Sequence, residues 1–219
     1  PSIGRPGDST FKPTDTGGTW AFTTVGATST LRGVAAFDAN TAWMVGDAIA
    51  GNDTIVKTVN GGTTWTAQHS GAPSANWLGV TAASATVAWV IAAGDIYKTT
   101  DGGTTWTTQA IGATDMRGIS AGSTSAVIAV GGVAGDGPIL YTSNGGTTWS
   151  VQSSPVSPPE LYGVVMTSAT AAWAVGAAGA ILTTADGGQT WTTQISGVAT
   201  QLNAVAAFDA SNLWAVGAS

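Results

Sequence analysis

Three short motifs recur five times along this chain in a fixed order, and that recurrence limits the fold more than any other feature. The first motif is clearest in Thr99-Thr-Asp101-Gly-Gly-Thr-Thr-Trp106. Its other copies run from Thr58 through Asn60 to Trp65, from Thr142 through Asn144 to Trp149, and from Thr184 through Asp186 to Trp191. A degenerate copy runs from Pro13 through Asp15 to Trp20. The five Trp are spaced 45, 41, 43 and 42 residues apart. The second motif reads Leu31-Arg-Gly-Val, Trp77-Leu-Gly-Val, Met116-Arg-Gly-Ile, Leu161-Tyr-Gly-Val and Leu202-Asn-Ala-Val. The third follows each of these: Ala42-Trp43, Ala88-Trp89, Ala126-Val127, Ala172-Trp173 and Leu213-Trp214, most of them continuing into Val-Gly.

Each unit reads as four short strands, exemplified by 161–165, 172–175, 180–184 and 189–194. The second is a continuous apolar run, as suits a strand buried on both faces. The fourth is β-branched and aromatic. Asp/Asn-Gly-Gly between the third and fourth marks a hairpin, because glycine accepts positive φ and the Asp or Asn side chain bonds nearby amides. Glycine is too frequent for helices, with 31 in 219 residues. A period of roughly 40–50 residues with four strands per unit predicts an all-β, five-bladed β-propeller of four-stranded blades.

The expected domain boundaries are an N-terminal extension over 1–9 and a single propeller domain over 10–219. Blades are expected at about 31–69, 78–110, 116–153 and 161–196, with the fifth at 202–219 completed by 10–24. The two termini thus supply complementary halves of one blade, and the ring is expected to close through it, which removes free sheet edges.

The Asp-box motif resembles the bacterial neuraminidase (BNR) repeat. The wider pattern is similar to the photosystem II stability/assembly factor-like repeat family, and the likeness covers nearly everything after residue 10. It implies a propeller whose boxes (Asp15, Asn60, Asp101, Asn144 and Asp186 with Trp20, Trp65, Trp106, Trp149 and Trp191) are structural turns away from the ligand-binding face. Asn60 and Asn144 in place of Asp, and Pro13 in place of Ser/Thr, are expected to weaken local turn bonds.

Composition excludes several functions. Six Lys+Arg against twelve Asp+Glu give a net charge of −6, which argues against a nucleic-acid partner. No apolar run approaches the roughly 18–20 residues of a membrane-spanning helix. There is no Cys and one His, His69, so neither a disulfide framework nor a Cys/His metal site is available. No cofactor is expected. A Ca²⁺ site built from loop carboxylates is a minor alternative, because no loop offers closely spaced ligands.

Five of the six cations fall at two repeat positions. Lys12, Lys57 and Lys98 share one place in the third strand. Arg32 and Arg117 share one in the first strand, matched by Leu78, Tyr162 and Asn203. The Arg position lies at the entry to the first strand and can face the central channel mouth, where an anion site competes with local pairing to loop Asp. Trp77 replaces Leu or Met at that entry and is read either as an exposed stacking platform or as one more core contact. The acids Asp47, Asp95, Asp136, Asp115 and Glu160 fall in connections that strand alternation puts on one rim. Arg32, Trp77, Arg117, Tyr162, Asp47, Asp95, Asp115, Asp136 and Glu160 form the candidate binding face. Asn52-Asp-Thr54 is a glycosylation sequon.

No catalytic constellation is found. The expected function is a non-catalytic scaffold that binds protein partners or assembles with itself, secreted or at a cell surface, in an extracellular or periplasmic setting. The alternatives are a lectin-like glycan-binding module or a sialidase-like glycoside hydrolase. By resemblance the last would need three Arg, a Tyr nucleophile with a Glu partner, and an acid. This chain has Arg5, Arg32, Arg117 and the single Glu160.

Overall fold

A computed structural model describes residues 9–13, 20–24, 30–49, 52–68, 76–92, 94–109, 115–132, 139–154 and 160–218. Box residue Asp15, along with Arg5, His69 and Asp136, lies outside them.

The described chain is all-β apart from one 3-10 turn, Ala177–Gly179. Its first strands are β1 (Ser9–Pro13) and β2 (Trp20–Thr24). Four complete blades follow, each a four-stranded antiparallel meander. The first holds β3 (Leu31–Ala36), β4 (Ala42–Ile49), β5 (Asn52–Thr58) and β6 (Thr66–Ala67). The second holds β7 (Trp77–Ala82), β8 (Ala88–Ala92), β9 (Asp95–Thr99) and β10 (Thr107–Gln109). The third holds β11 (Met116–Ala121), β12 (Val127–Gly131), β13 (Ile139–Thr142) and β14 (Ser150–Gln152). The fourth holds β15 (Leu161–Met166), β16 (Ala172–Gly176), β17 (Ile181–Thr184) and β18 (Thr192–Gln194). The half-blade β19 (Leu202–Ala207) and β20 (Leu213–Gly217) ends the series.

The innermost strands β3, β7, β11, β15 and β19 pack against one another in sequence. Close approach there selects glycine: a Cβ on Gly163 would stand 3.1 Å from the Cα of Ala204 in the next blade. Between blades lie apolar cores. Trp43, Val45 and Ile55 of the first blade pack with Trp77, Val80, Val90 and Trp106 of the second. Trp89 and Ile91 pack with Met116 and Ile119, and Ile128 and Val130 with Leu161 and Val164. Each core therefore combines the second strand of one blade with the first strand and box Trp of the next.

Three sequence readings are corrected. Trp77 is wholly buried and meets Tyr97 edge-on at 5.1 Å. It fills the wedge between blades that Met116 and Leu161 fill elsewhere, so it is no surface platform. In the third blade Ile128, not Val127, holds the Trp position: Ile128 faces Tyr141 as Trp173 faces Thr183. The fourth strand starts after the box Trp, because the residues before it are held in the turn: the Thr190 amide donates to Asp186.

β1–β2 and β19–β20 are each a two-stranded antiparallel sheet.

Candidate functional site

The two ends of each blade differ chemically. At the outer end stand the boxes. In the second blade Asp101 accepts the Thr105 amide at 2.9 Å and the Thr105 hydroxyl at 2.6 Å. The Thr99 hydroxyl donates to Asp101 and accepts the Gly103 amide, both at 2.8 Å. These donors hold the Asp101 and Asp186 carboxyls at a pKa of about 2, below the usual 3.8, with the Thr105 and Thr190 hydroxyl bonds contributing most.

The boxes with Asn keep the same bonding. Asn60 Oδ1 accepts the Thr64 amide at 2.9 Å, and its Nδ2 donates to the Thr64 hydroxyl at 2.8 Å. The threonine hydroxyl reverses from donor to acceptor, so the Asn copies lose no turn bond. This corrects the weakening expected from sequence. Sequence reading also missed a second repeated cap. Ser84, Ser123 and Ser168 accept two successive amides after the first strand, as Asp38 and Asp209 do. A Ser/Asp alternation at one repeat position was the available signal.

At the opposite end the register between first and second strands shifts in all five units, between Leu31/Gly33, Trp77/Gly79, Met116/Gly118, Leu161/Gly163 and Leu202/Ala204. The bulge leaves one residue per blade out of the ladder, and bulges re-aim side chains. Those five residues are Arg32, Leu78, Arg117, Tyr162 and Asn203. All five line one cavity of about 670 Å³, together with Thr30, Leu31 and Asp115. The repeat-equivalent positions grouped from sequence thus converge at the channel mouth.

The charged groups around the cavity pair with one another, with one carboxylate in excess. Arg32 donates to Asp47 through Nε at 2.5 Å and through Nη2 at 2.9 Å. Arg117 donates to Asp115 at 2.9 Å, lies 3.7 Å from Glu160, and stacks over the Tyr162 ring at 5.0 Å. The Tyr162 hydroxyl donates to Glu160 at 2.5 Å. Hydrogen bonding to Asp47 and Asp115 raises the two guanidinium pKa values, and the Arg32 bond in turn lowers that of Asp47. The bond to Glu160 pushes the Tyr162 phenol up, so it stays a neutral donor. Two cations thus meet three carboxylates, and local pairing prevails over a free anion clamp. The Nε of Arg117 is buried without a hydrogen-bond partner. Asp115 adopts positive φ, 65°, a conformation that Asp tolerates better than most residues.

Of the other predicted residues, Asp95 is exposed at the start of β9 and does not line the cavity. Asn52 opens β5. Among the described residues, no three His, Asp or Glu side chains are grouped to hold a metal. No helix among them is long and apolar enough to cross a membrane.

Solved structures share this architecture. A structure described as YCF48 bound to D1 peptide is 18% identical over 88% of this chain and 92% of its own, with a TM-score of 0.50. YCF48 from Cyanidioschyzon merolae is 18% identical over 92% of this chain and 84% of its own, with a TM-score of 0.54. An ancestral GH74 enzyme reaches a TM-score of 0.67 at 19% identity over 87% of this chain, which spans only 28% of that enzyme. At these identities the likeness is one of fold. No curated protein matches the chain in sequence. The sequence model for the photosynthesis system II assembly factor YCF48 matches residues 73–218, two thirds of the chain, and the chain belongs to that family.

Proposed function

We propose that this chain is a non-catalytic propeller that holds an extended segment of a protein partner at its channel mouth and serves in assembly. The observation that carries the reading is the divergence of the five bulged positions. Around them the repeat keeps its boxes, glycines and wedges, while the mouth itself presents Arg, Leu, Arg, Tyr and Asn. A repeat position that carries four residue types in five units makes a single asymmetric surface. The surface offers an apolar patch on Leu78, the phenol of Tyr162, the amide of Asn203, the part-exposed guanidinium groups of Arg32 and Arg117 and the carboxylate of Asp115. Such a mixture of donors and acceptors suits peptide backbone and side chains better than a lone anion. The relative described as bound to a D1 peptide supports the same class of partner.

One contact favours a second reading, glycoside hydrolysis. Tyr162 and Glu160 form the Tyr–Glu pair that a sialidase-like site requires. Against it, Arg32 and Arg117 are occupied by carboxylates, and the raised Tyr162 pKa disfavours the phenolate.

Panning an unbiased peptide library against the protein separates the two. The proposal expects binders that the paired substitutions Arg117→Ala and Tyr162→Ala weaken at least about tenfold, the size expected when interface anchors are removed. Absence of binders, with sugar released from a glycan panel by the native protein and not by Tyr162→Phe, would overturn it.

A further inference from the structure

Asn followed by Gly occurs twice in the chain, at Asn60-Gly61 and Asn144-Gly145, and both pairs stand in box turns. This dipeptide is the one most prone to deamidation, because glycine has no Cβ to hinder attack of its own nitrogen on the preceding side chain. In that reaction the Gly nitrogen bonds to Cγ of Asn and gives up its proton, while Nδ2 leaves as ammonia. Water then opens the succinimide ring at either carbonyl, giving Asp or isoaspartate. Asn60 and Asn144 are both exposed, so sequence and exposure alone predict the loss of both amides.

The box ties up both reacting groups. The Gly61 amide donates to the Asn40 carbonyl at 2.9 Å, and the Gly145 amide to that of Ser125 at 2.8 Å. Gly102 and Gly187 make the same bond to Thr86 and Thr170, both at 2.9 Å. A nitrogen that must lose its proton in order to attack is thereby kept protonated and turned toward another carbonyl. The side chain is held as firmly. Asn144 Oδ1 accepts the Thr142 hydroxyl at 3.0 Å and the Thr148 amide at 2.9 Å, and its Nδ2 donates to the Thr148 hydroxyl at 2.8 Å. Asn60 has the same three bonds with Thr58 and Thr64. Donors on Oδ1 would by themselves polarise Cγ toward attack, so protection rests on the withheld nitrogen and the fixed side chain. The buried Thr58 hydroxyl is the hub of the first box: it donates to Asn60 Oδ1 and accepts the Gly62 amide at 2.9 Å.

The two products suit the fold differently. Asp already stands at this position in Asp101 and Asp186, whose oxygens take the equivalent amide and hydroxyl partners. These two also precede Gly, yet as carboxylates they resist attack by a nitrogen. Isoaspartate routes the main chain through the side-chain methylene. The chain before Gly61 becomes one carbon longer and the carboxylate one carbon shorter, so it no longer spans Thr58 and Thr64. Gly61 and Gly62, at φ of 67° and 86°, then lose the turn they form.

We propose that Asn60 and Asn144 are latent deamidation sites, silent while the box is closed and converted when it opens, so that each leaves a covalent record of opening in its own blade. Gly145 is buried and Gly61 half-buried, and the third blade lies between the complete second and fourth blades. Asn60 is therefore the more sensitive of the two. The record is one-way, because Nδ2 is lost as ammonia and isoaspartate bars the box from re-forming. It concerns the box end alone and holds whatever the channel mouth binds.

Peptide mapping by mass spectrometry, after incubation at mildly alkaline pH, reads both sites in one molecule. In the native protein both Asn should deamidate at least about tenfold more slowly than in the same protein held unfolded in guanidinium chloride, because conversion must await local opening. Asn60 should lead Asn144. Thr58→Val removes the hub hydroxyl and should speed conversion of Asn60 at least about tenfold, while Asn144 keeps its native rate as the internal control. Native rates equal to the unfolded rates would overturn the proposal, and so would a folded Thr58→Val protein that loses the Asn60 amide no faster than the native one. The comparison of native with unfolded protein needs no variant, so it decides even where Thr58→Val does not fold.

Discussion

The box end and the mouth end of the blades obey opposite rules. At the box end four described copies repeat the same bonds, and even the exchange of Asp for Asn is absorbed by reversing a threonine hydroxyl. At the mouth end five equivalent positions carry four different residue types that converge on one cavity. Repetition at one end builds identical blades, and divergence at the other creates a surface that exists once per molecule. A substitution at the box end or between blades should therefore cost stability, and one at the mouth should cost binding.

The largest separation is expected from Trp77. Replacement by Ala removes a fully buried indole from between two blades and should destabilise by about 3–5 kcal/mol, measured by denaturant unfolding. Arg117→Ala should leave the unfolding midpoint nearly unchanged, because its partners are part-exposed. That same change, paired with Tyr162→Ala, should lower peptide affinity at least about tenfold, read by titration calorimetry. If the Arg117 variant unfolds as readily as the Trp77 variant, the two ends are not separable and the comparison breaks.

Gly102 in the second box gives an intermediate effect. Its φ of 76° is left-handed, and a Cβ there would lie 2.8 Å from Lys57 Nζ. Gly102→Ala should cost about 1–2 kcal/mol from backbone strain without altering peptide affinity. The smallest effect is a pH response. The Asp101 and Asp186 pKa values are depressed in the folded state to about 2, against 3.8 for the free side chain. Their stabilisation is therefore complete above 3.8 and lost as pH falls toward about 2. The double variant Asp101→Asn and Asp186→Asn should flatten the acid limb of the stability curve, since Asn60 and Asn144 already show the neutral turn to be intact. An unchanged acid limb would mean that these carboxylates contribute no charge-dependent stability.

Most of the architecture was legible in the sequence because each repeat unit signals its own turns: Asp/Asn-Gly-Gly for the hairpin and Leu-x-Gly-Val for the innermost strand. The equivalence of Arg32, Leu78, Arg117, Tyr162 and Asn203 was legible for the same reason. The bulge that turns those five inward was not, because a register shift leaves no residue signature of its own. Trp77 was ambiguous because an indole fits either a wedge or a platform, and only the neighbouring blade's Trp43 and Val45 decide between them. The third-blade register slipped by one in the reading because Ala126-Val127-Ile128 is uniformly apolar and has no Trp to anchor it. The pairing of Arg117 with Asp115, two residues away, was within reach of the sequence, whereas that of Arg32 with Asp47 and the approach of Arg117 to Glu160 depend on distances that spacing along the chain does not encode.

The central claim is that recognition sits at the channel mouth. Its most direct measurement is the affinity of one library-selected peptide for three forms of the protein: native, the paired Arg117→Ala and Tyr162→Ala variant, and Asp101→Asn. The account predicts at least about a tenfold loss for the mouth variant and native affinity for the box variant. Equal affinity for the native and mouth forms, with loss in the box form, would contradict it.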